Sequence, residues 1–168
     1  MKNSAKNNNM YAAAKAAALA PYAHAVEGDM DAAACVIHAA PLSDAARGAL
    51  AAACAGIGMP DPVFLDCMAL GAIGGDSDVD AARRARSLFE AVEALDPVMT
   101  AVVDAAAAEA MGRAYREPVT PDGWGFVFGR PYAAFSHFQD DLVDVRLKQR
   151  DWAVFKALRK NAPWMFQG

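Results

Sequence analysis

The chain has 168 residues, 55% hydrophobic and 21% charged, which excludes a disordered or fibrous chain and fits one globular domain with a real core. A formal net charge of -4 at pH 7 excludes a general polyanion binder, because phosphate binding needs a basic surface; a local basic face stays compatible with it. The three cysteines, Cys35, Cys54 and Cys67, lack CxxC spacing, which excludes a disulfide framework or zinc knuckle and points to buried reduced thiols in a cytosolic protein.

In chain order, residues 1–9 are polar and Asn-rich and are expected to be disordered. Residues 10–19 are alanine-dense and should be helical, with Pro21 disturbing the helix and Glu27-Gly28-Asp29 closing it. Lys15 interrupts the alanine run and Pro21 follows closely, so this is not an export signal. Residues 1–30 read as a flexible or helical arm, and residues 31–168 as a single domain. No window has the ~18 apolar residues of a membrane span, so a cytoplasmic protein without a membrane partner is expected.

A strand–helix rhythm then begins. Residues 34–38 (ACVIH) form a first strand, and Ser43-Asp44 starts a helix whose Leu50, Cys54 and Ile57 share a face. Residues 62–68 make a second strand, 71–77 a glycine-containing mobile loop, and 79–95 a helix ended by Asp96-Pro97. Residues 98–103 make a third strand, and Asp104 caps a helix over 105–115. A short extra strand at 126–128 turns at Gly129-Arg130 into a fourth main strand at 132–135. A last helix over 144–160 buries Trp152, Phe155 and Leu158. Strands joined by helices imply right-handed crossovers, and short apolar strands without alternation imply helices on both faces. The expected fold is α/β, a three-layer α/β/α sandwich with a four-stranded parallel sheet.

Ligands of open α/β sheets bind at the carboxyl ends of the strands. Here His38 ends the first strand and Asp66 the second, while Ser136 and His137 follow the fourth. A His38–His137 pair has too few ligands for a metal, and no metal or cofactor is expected. Asp66 is a spare carboxylate or a capping group; Asp140, Asp141 and Asp144 precede the last helix, where negative charge meets its positive end. Arg146, Lys148 and Arg150 on that helix are either a nucleic-acid-facing strip or a solvated face.

The run Gly129-Arg130-Pro131, His137, Leu142, Asp144, Lys148 and Trp152 resembles the closing unit of the uracil-DNA glycosylase superfamily, in particular its bacterial iron-sulfur branch. Residues 96–104 with the alanine-rich helix after them, residues 59–66 and residues 42–58 are similar to earlier pieces of that family in order. The resemblance implies a crevice in which His137 stabilises negative charge growing on a departing base. The crevice would be lined by His38, Ala39 and Pro41 from the first loop, Asp66 and Cys67 from the second strand, and Ser136 and Phe138 beside His137. The chain departs from the family in several places. The loop His38-Ala39-Ala40-Pro41-Leu42 has no acid to activate water where the family has one. Cys67 stands where the family's base-reading asparagine would be, and a thiol bonds poorly. The cluster cysteines have no counterparts, so no iron-sulfur centre is expected. Phe138-Gln139 replaces the family's Pro-Ser.

The resemblance thus implies a glycosylase-like protein, degenerate in its standard motifs, that binds a nucleobase or nucleic acid at the crevice. The alternatives are an active glycosylase using His137 with a substitute polar group such as Asp66, and a non-enzymatic interaction module that forms a homodimer through its alanine-rich arm.

Overall fold

The computed structural model describes residues 2–70 and 78–166, with side chains placed over 9–70 and 78–165; the loop expected at 71–77 lies outside them. The first element, α1 (Lys2–Leu19), starts well before the alanine run. Residues 2–9, expected to be disordered, are helical, because adding residues to a nucleated helix costs little when none is Gly or Pro. A turn of 3-10 helix leads to β1 (Val26–Glu27), a two-residue strand for which the sequence gives no signal. The expected arm is thereby tied into the domain, with Leu19 and Ala25 buried in the core.

The rhythm that follows is β2 (Ala34–His38), α2 (Asp44–Gly56), β3 (Val63–Asp66), α3 (Asp78–Leu95), β4 (Met99–Val102) and α4 (Ala105–Tyr115). It continues as β5 (Gly123–Val127), β6 (Arg130–Ala134), the one-turn α5 (Phe138–Asp141) and α6 (Val145–Asn161). Caps fix the helix starts as the residue types demand. Ser43 accepts from the amide of Ala46, Asp104 from that of Ala107, and Asp144 from those of Arg146 and Leu147.

The sheet corrects the expectation of four parallel strands. It has six strands in the order β1-β3-β2-β4-β6-β5 and is mixed. The inner four run parallel, while β1 and β5 add antiparallel edges. The β5–β6 edge is a hairpin, and its turn is Phe128-Gly129 rather than Gly129-Arg130. Both turn residues have positive φ, 53° and 78°, as a two-residue hairpin turn requires. The Phe128 ring leans on Phe89 and Tyr115, with centroids 6.0 and 6.1 Å away.

Strand residues divide alternately between two apolar clusters. Cys35, Ile37, Val102 and Ala134 meet α3, α4 and the end of α1; Val36, Ala101, Ala133 and Phe135 meet α2 and α6. Helices on both faces explain the absence of polar alternation. Arg130 locks the outer end of β6. It donates to the Pro97 carbonyl at 2.8 Å and pairs with Glu93 at 2.7 Å and Asp96 at 3.2 Å. The Gly129-Arg130-Pro131 motif therefore has a structural task in this chain.

Candidate functional site

The strand order sends the chain from β2 to β3 on one side and, by way of β4, toward β6 on the other. The carboxyl ends of β2 and β4 are therefore the reversal point at which such sheets take ligands. β4 lies between β2 and β6, so His38 and His137 are not direct neighbours in the sheet. Asp104, just past β4, joins the two rims. Its Oδ2 accepts from the amides of Ala39 at 2.8 Å and Ala40 at 3.1 Å, while its Oδ1 accepts from Ala107 at 2.8 Å. Its backbone forms an antiparallel bridge with His137.

The other groups here are also engaged. His38, only 5% exposed, donates from Nδ1 to the Ala40 carbonyl at 2.9 Å. Asp66 accepts from the amides of Met68 and Ala69 through Oδ1, an ordinary turn-closing use. The Cys67 thiol is buried and pushed up to about 12, first by burial and then by the charges of Asp104 and Asp66; it stays neutral and is no nucleophile. Gln139 Oε1 accepts from the Ser43 amide at 2.8 Å, tying α5 to the start of α2. Phe138 turns into the core, its ring centroid 5.3 Å from that of Phe135. Ala39 is half-buried, Pro41 and Met68 are exposed, and Leu42 is half-buried against the α2–α6 core. His137 is exposed. Ser136 beside it donates from its amide and its hydroxyl to Asp122, both at 3.0 Å.

The last-helix strip separates in the same way. Arg146 and Lys148 are exposed. Arg150 contacts Asp141 at 2.8 Å, Asp151 at 3.2 Å and Asp122 at 3.6 Å. Burial raises the Asp122 carboxyl, but the hydrogen bonds from Ser136 and the Arg150 charge outweigh it and hold Asp122 below its usual range. Of the three acids placed before the last helix, Asp144 caps it, whereas Asp141 is buried and bound to Arg150.

A second site lies between α2, α5 and α6, and sequence reasoning passed over it. It is a cleft of about 330 Å³. Ala49 and Ala53 of α2 form one wall, and Phe138, Leu142, Trp152 and Phe155 the other. Gly56 lets α2 approach closely, since a Cβ there would lie 2.6 Å from the Trp152 ring. The polar lining residues are Lys148 and Asp151. The Asp151 side chain is 2% exposed. Its Oδ1 accepts from Arg150, and the carboxyl is also hydrogen-bonded to the adjoining Asp141 side chain. Burial first, and then the adjoining Asp141 carboxyl, push Asp151 up to about 7. A signal was present: Asp151 precedes Phe155 by one helical turn and so lies on the apolar stripe of α6.

Among the described residues, no group of three His, Cys, Asp or Glu side chains is placed to hold a metal ion. No helix among them is long and apolar enough to cross a membrane. No protein-family model matches the chain, and no curated protein matches it.

Proposed function

We propose that this protein is a non-enzymatic interaction module on a three-layer α/β/α scaffold resembling the uracil-DNA glycosylases, with the base-binding crevice closed from within. The observation that supports this reading is the Asp104 carboxylate on the amides of Ala39 and Ala40. Those amides are the donors that a ligand oxygen would otherwise use at a strand–helix reversal point. The same carboxylate, with Asp66 nearby, makes the crevice unwelcoming to the anions of a nucleic-acid backbone. Asp66 is occupied by two turn amides and is poorly placed to serve as a substitute water-activating group. Loss of preorganised catalytic groups costs on the order of 3 kcal/mol each, and this chain lacks both the acid and the asparagine.

Incubation with uracil-containing and abasic-site duplexes tests the reading. It expects no released base and no strand breakage. Base release that disappears in His137→Ala would overturn it in favour of a working glycosylase. Titration with single- and double-stranded oligonucleotides at low salt tests the nucleic-acid alternative; a saturable, salt-dependent signal would restore it.

A further inference from the structure

We propose that β5 is a homodimer interface, whose free edge pairs antiparallel with the same strand of a second copy of this chain around a two-fold axis at Gly125. The interface is independent of the proposed function, because it uses only the outer edge of the sheet and none of the groups that close the crevice.

The register of the β5–β6 hairpin decides which groups point outward. A two-residue turn closes on a pair that exchanges both backbone hydrogen bonds, here Val127 and Arg130. Such pairs alternate along an antiparallel ladder, so Gly125 with Tyr132 and Gly123 with Ala134 are bonded in the same way. Trp124 and Phe126 therefore direct their amides and carbonyls away from β6. Pro131 agrees with this register, since it faces Phe126 and has no N–H to give. β5 is the last strand of the sheet. Among the described residues, no backbone group outside β6 hydrogen-bonds to it.

These outward groups are self-complementary about Gly125. A two-fold axis there sets Trp124 opposite the partner's Phe126, and Phe126 opposite the partner's Trp124. The outward amides of the two strands then meet the outward carbonyls, and none is left over. Glycine at the axis brings no side chain into the close approach. The same pairing aligns aromatic rings. Within one chain the Trp124 and Phe126 centroids are 6.0 Å apart, and Phe126 stacks on Trp164 at 5.8 Å. Phe126 and Trp164 are 39% and 54% exposed, so this row is open to its copy, and aromatic pairs across strands are favourable.

Charge favours the same occupant. β5, GWGFV, carries no charged side chain, so nothing on the strand repels its copy across the axis. Exposed edges are ordinarily blunted by charge, proline or brevity. The other edge of this sheet is blunted in that way: β1 has two residues, and its Glu27 pairs with Arg47 at 2.9 Å. β5 has no such protection. Association stops at two copies, because β1 offers no comparable edge for further growth. The shared edge is five residues a side, which gives a reversible dimer with a dissociation constant on the order of micromolar to millimolar.

Sedimentation velocity on the full chain, from micromolar to millimolar concentration, should show a monomer–dimer equilibrium. Amide hydrogen exchange over the same range should show Trp124 and Phe126 gaining protection as concentration rises, while Gly125, bonded to β6, is unchanged. Phe126→Lys alters an exposed side chain and should weaken the dimer about tenfold or more. Phe126→Pro removes one outward amide without breaking a bond to β6 and should act in the same direction. Tyr11→Lys, on the exposed side of α1, should leave the dimer intact. A chain that stays monomeric to millimolar concentration overturns the proposal, as does exchange at Trp124 and Phe126 that ignores concentration. A dimer that Tyr11→Lys dissolves and Phe126→Lys leaves intact also overturns it, in favour of the alanine-rich arm. The exchange measurement uses the parent protein, so it decides the matter even where a variant fails to fold.

Discussion

The two sites are built from similar materials and end in opposite states. At the strand ends, Asp104 binds three amides, His38 a carbonyl and Gln139 the Ser43 amide. Between α2 and α6, the chain leaves an apolar cleft beside a buried carboxyl, Asp151, that is hydrogen-bonded to Asp141. The strand ends, where such folds customarily carry ligands, are tied by Asp104 to the Ala39 and Ala40 amides, and the apolar cleft lies where the topology makes no demand.

Three substitutions probe this contrast, in decreasing order of effect. Asp104→Ala removes the acceptor of three amides and should destabilise the protein by about 2–3 kcal/mol, a lost helix cap plus two orphaned loop donors; the urea midpoint measures it, with the denaturant slope unchanged. Asp151→Asn has a pH-dependent sign. The Asp151 carboxyl is raised from its ordinary 3.8 to about 7 in the fold, so the folded state binds more protons than the unfolded one between those values. Its contribution is most favourable at low pH and is lost as pH rises through about 7. The asparagine variant, which cannot ionise, should match the parent near pH 4 and gain on it steadily as pH rises to 8. A stability difference that does not change with pH would show that Asp151 is ionised throughout. Gln139→Ala cuts the tie to Ser43 at an exposed position and should cost about 1 kcal/mol or less; a loss as large as that of Asp104→Ala would mean that α5, and not Asp104, holds the crevice closed.

Much of this architecture is legible in the sequence because it depends on local chemistry. The buried strand at 34–38, the caps at Ser43, Asp104 and Asp144, and the apolar stripes of α2 and α6 follow from residue type and spacing. The two-residue β1 has no pattern to announce it and exists only because β3 offers an edge. The hairpin turn shifted by one residue because Phe128 takes a left-handed conformation that its side chain alone would discourage. The closure of the crevice is long-range: Asp104 reaches Ala39 across 65 residues, and helix capping accounts for only one of its two oxygens. Arg150 reads as one of a basic strip until the fold surrounds it with three aspartates.

Hydrogen exchange at the amides of Ala39 and Ala40 measures the internal closure of the strand-end crevice directly. Both should exchange slowly in the parent protein and become markedly faster in Asp104→Ala, while the amides of β2 keep their protection. Rapid exchange at both positions in the parent, unchanged by the substitution, would mean that the carboxylate does not hold them and that the crevice is open.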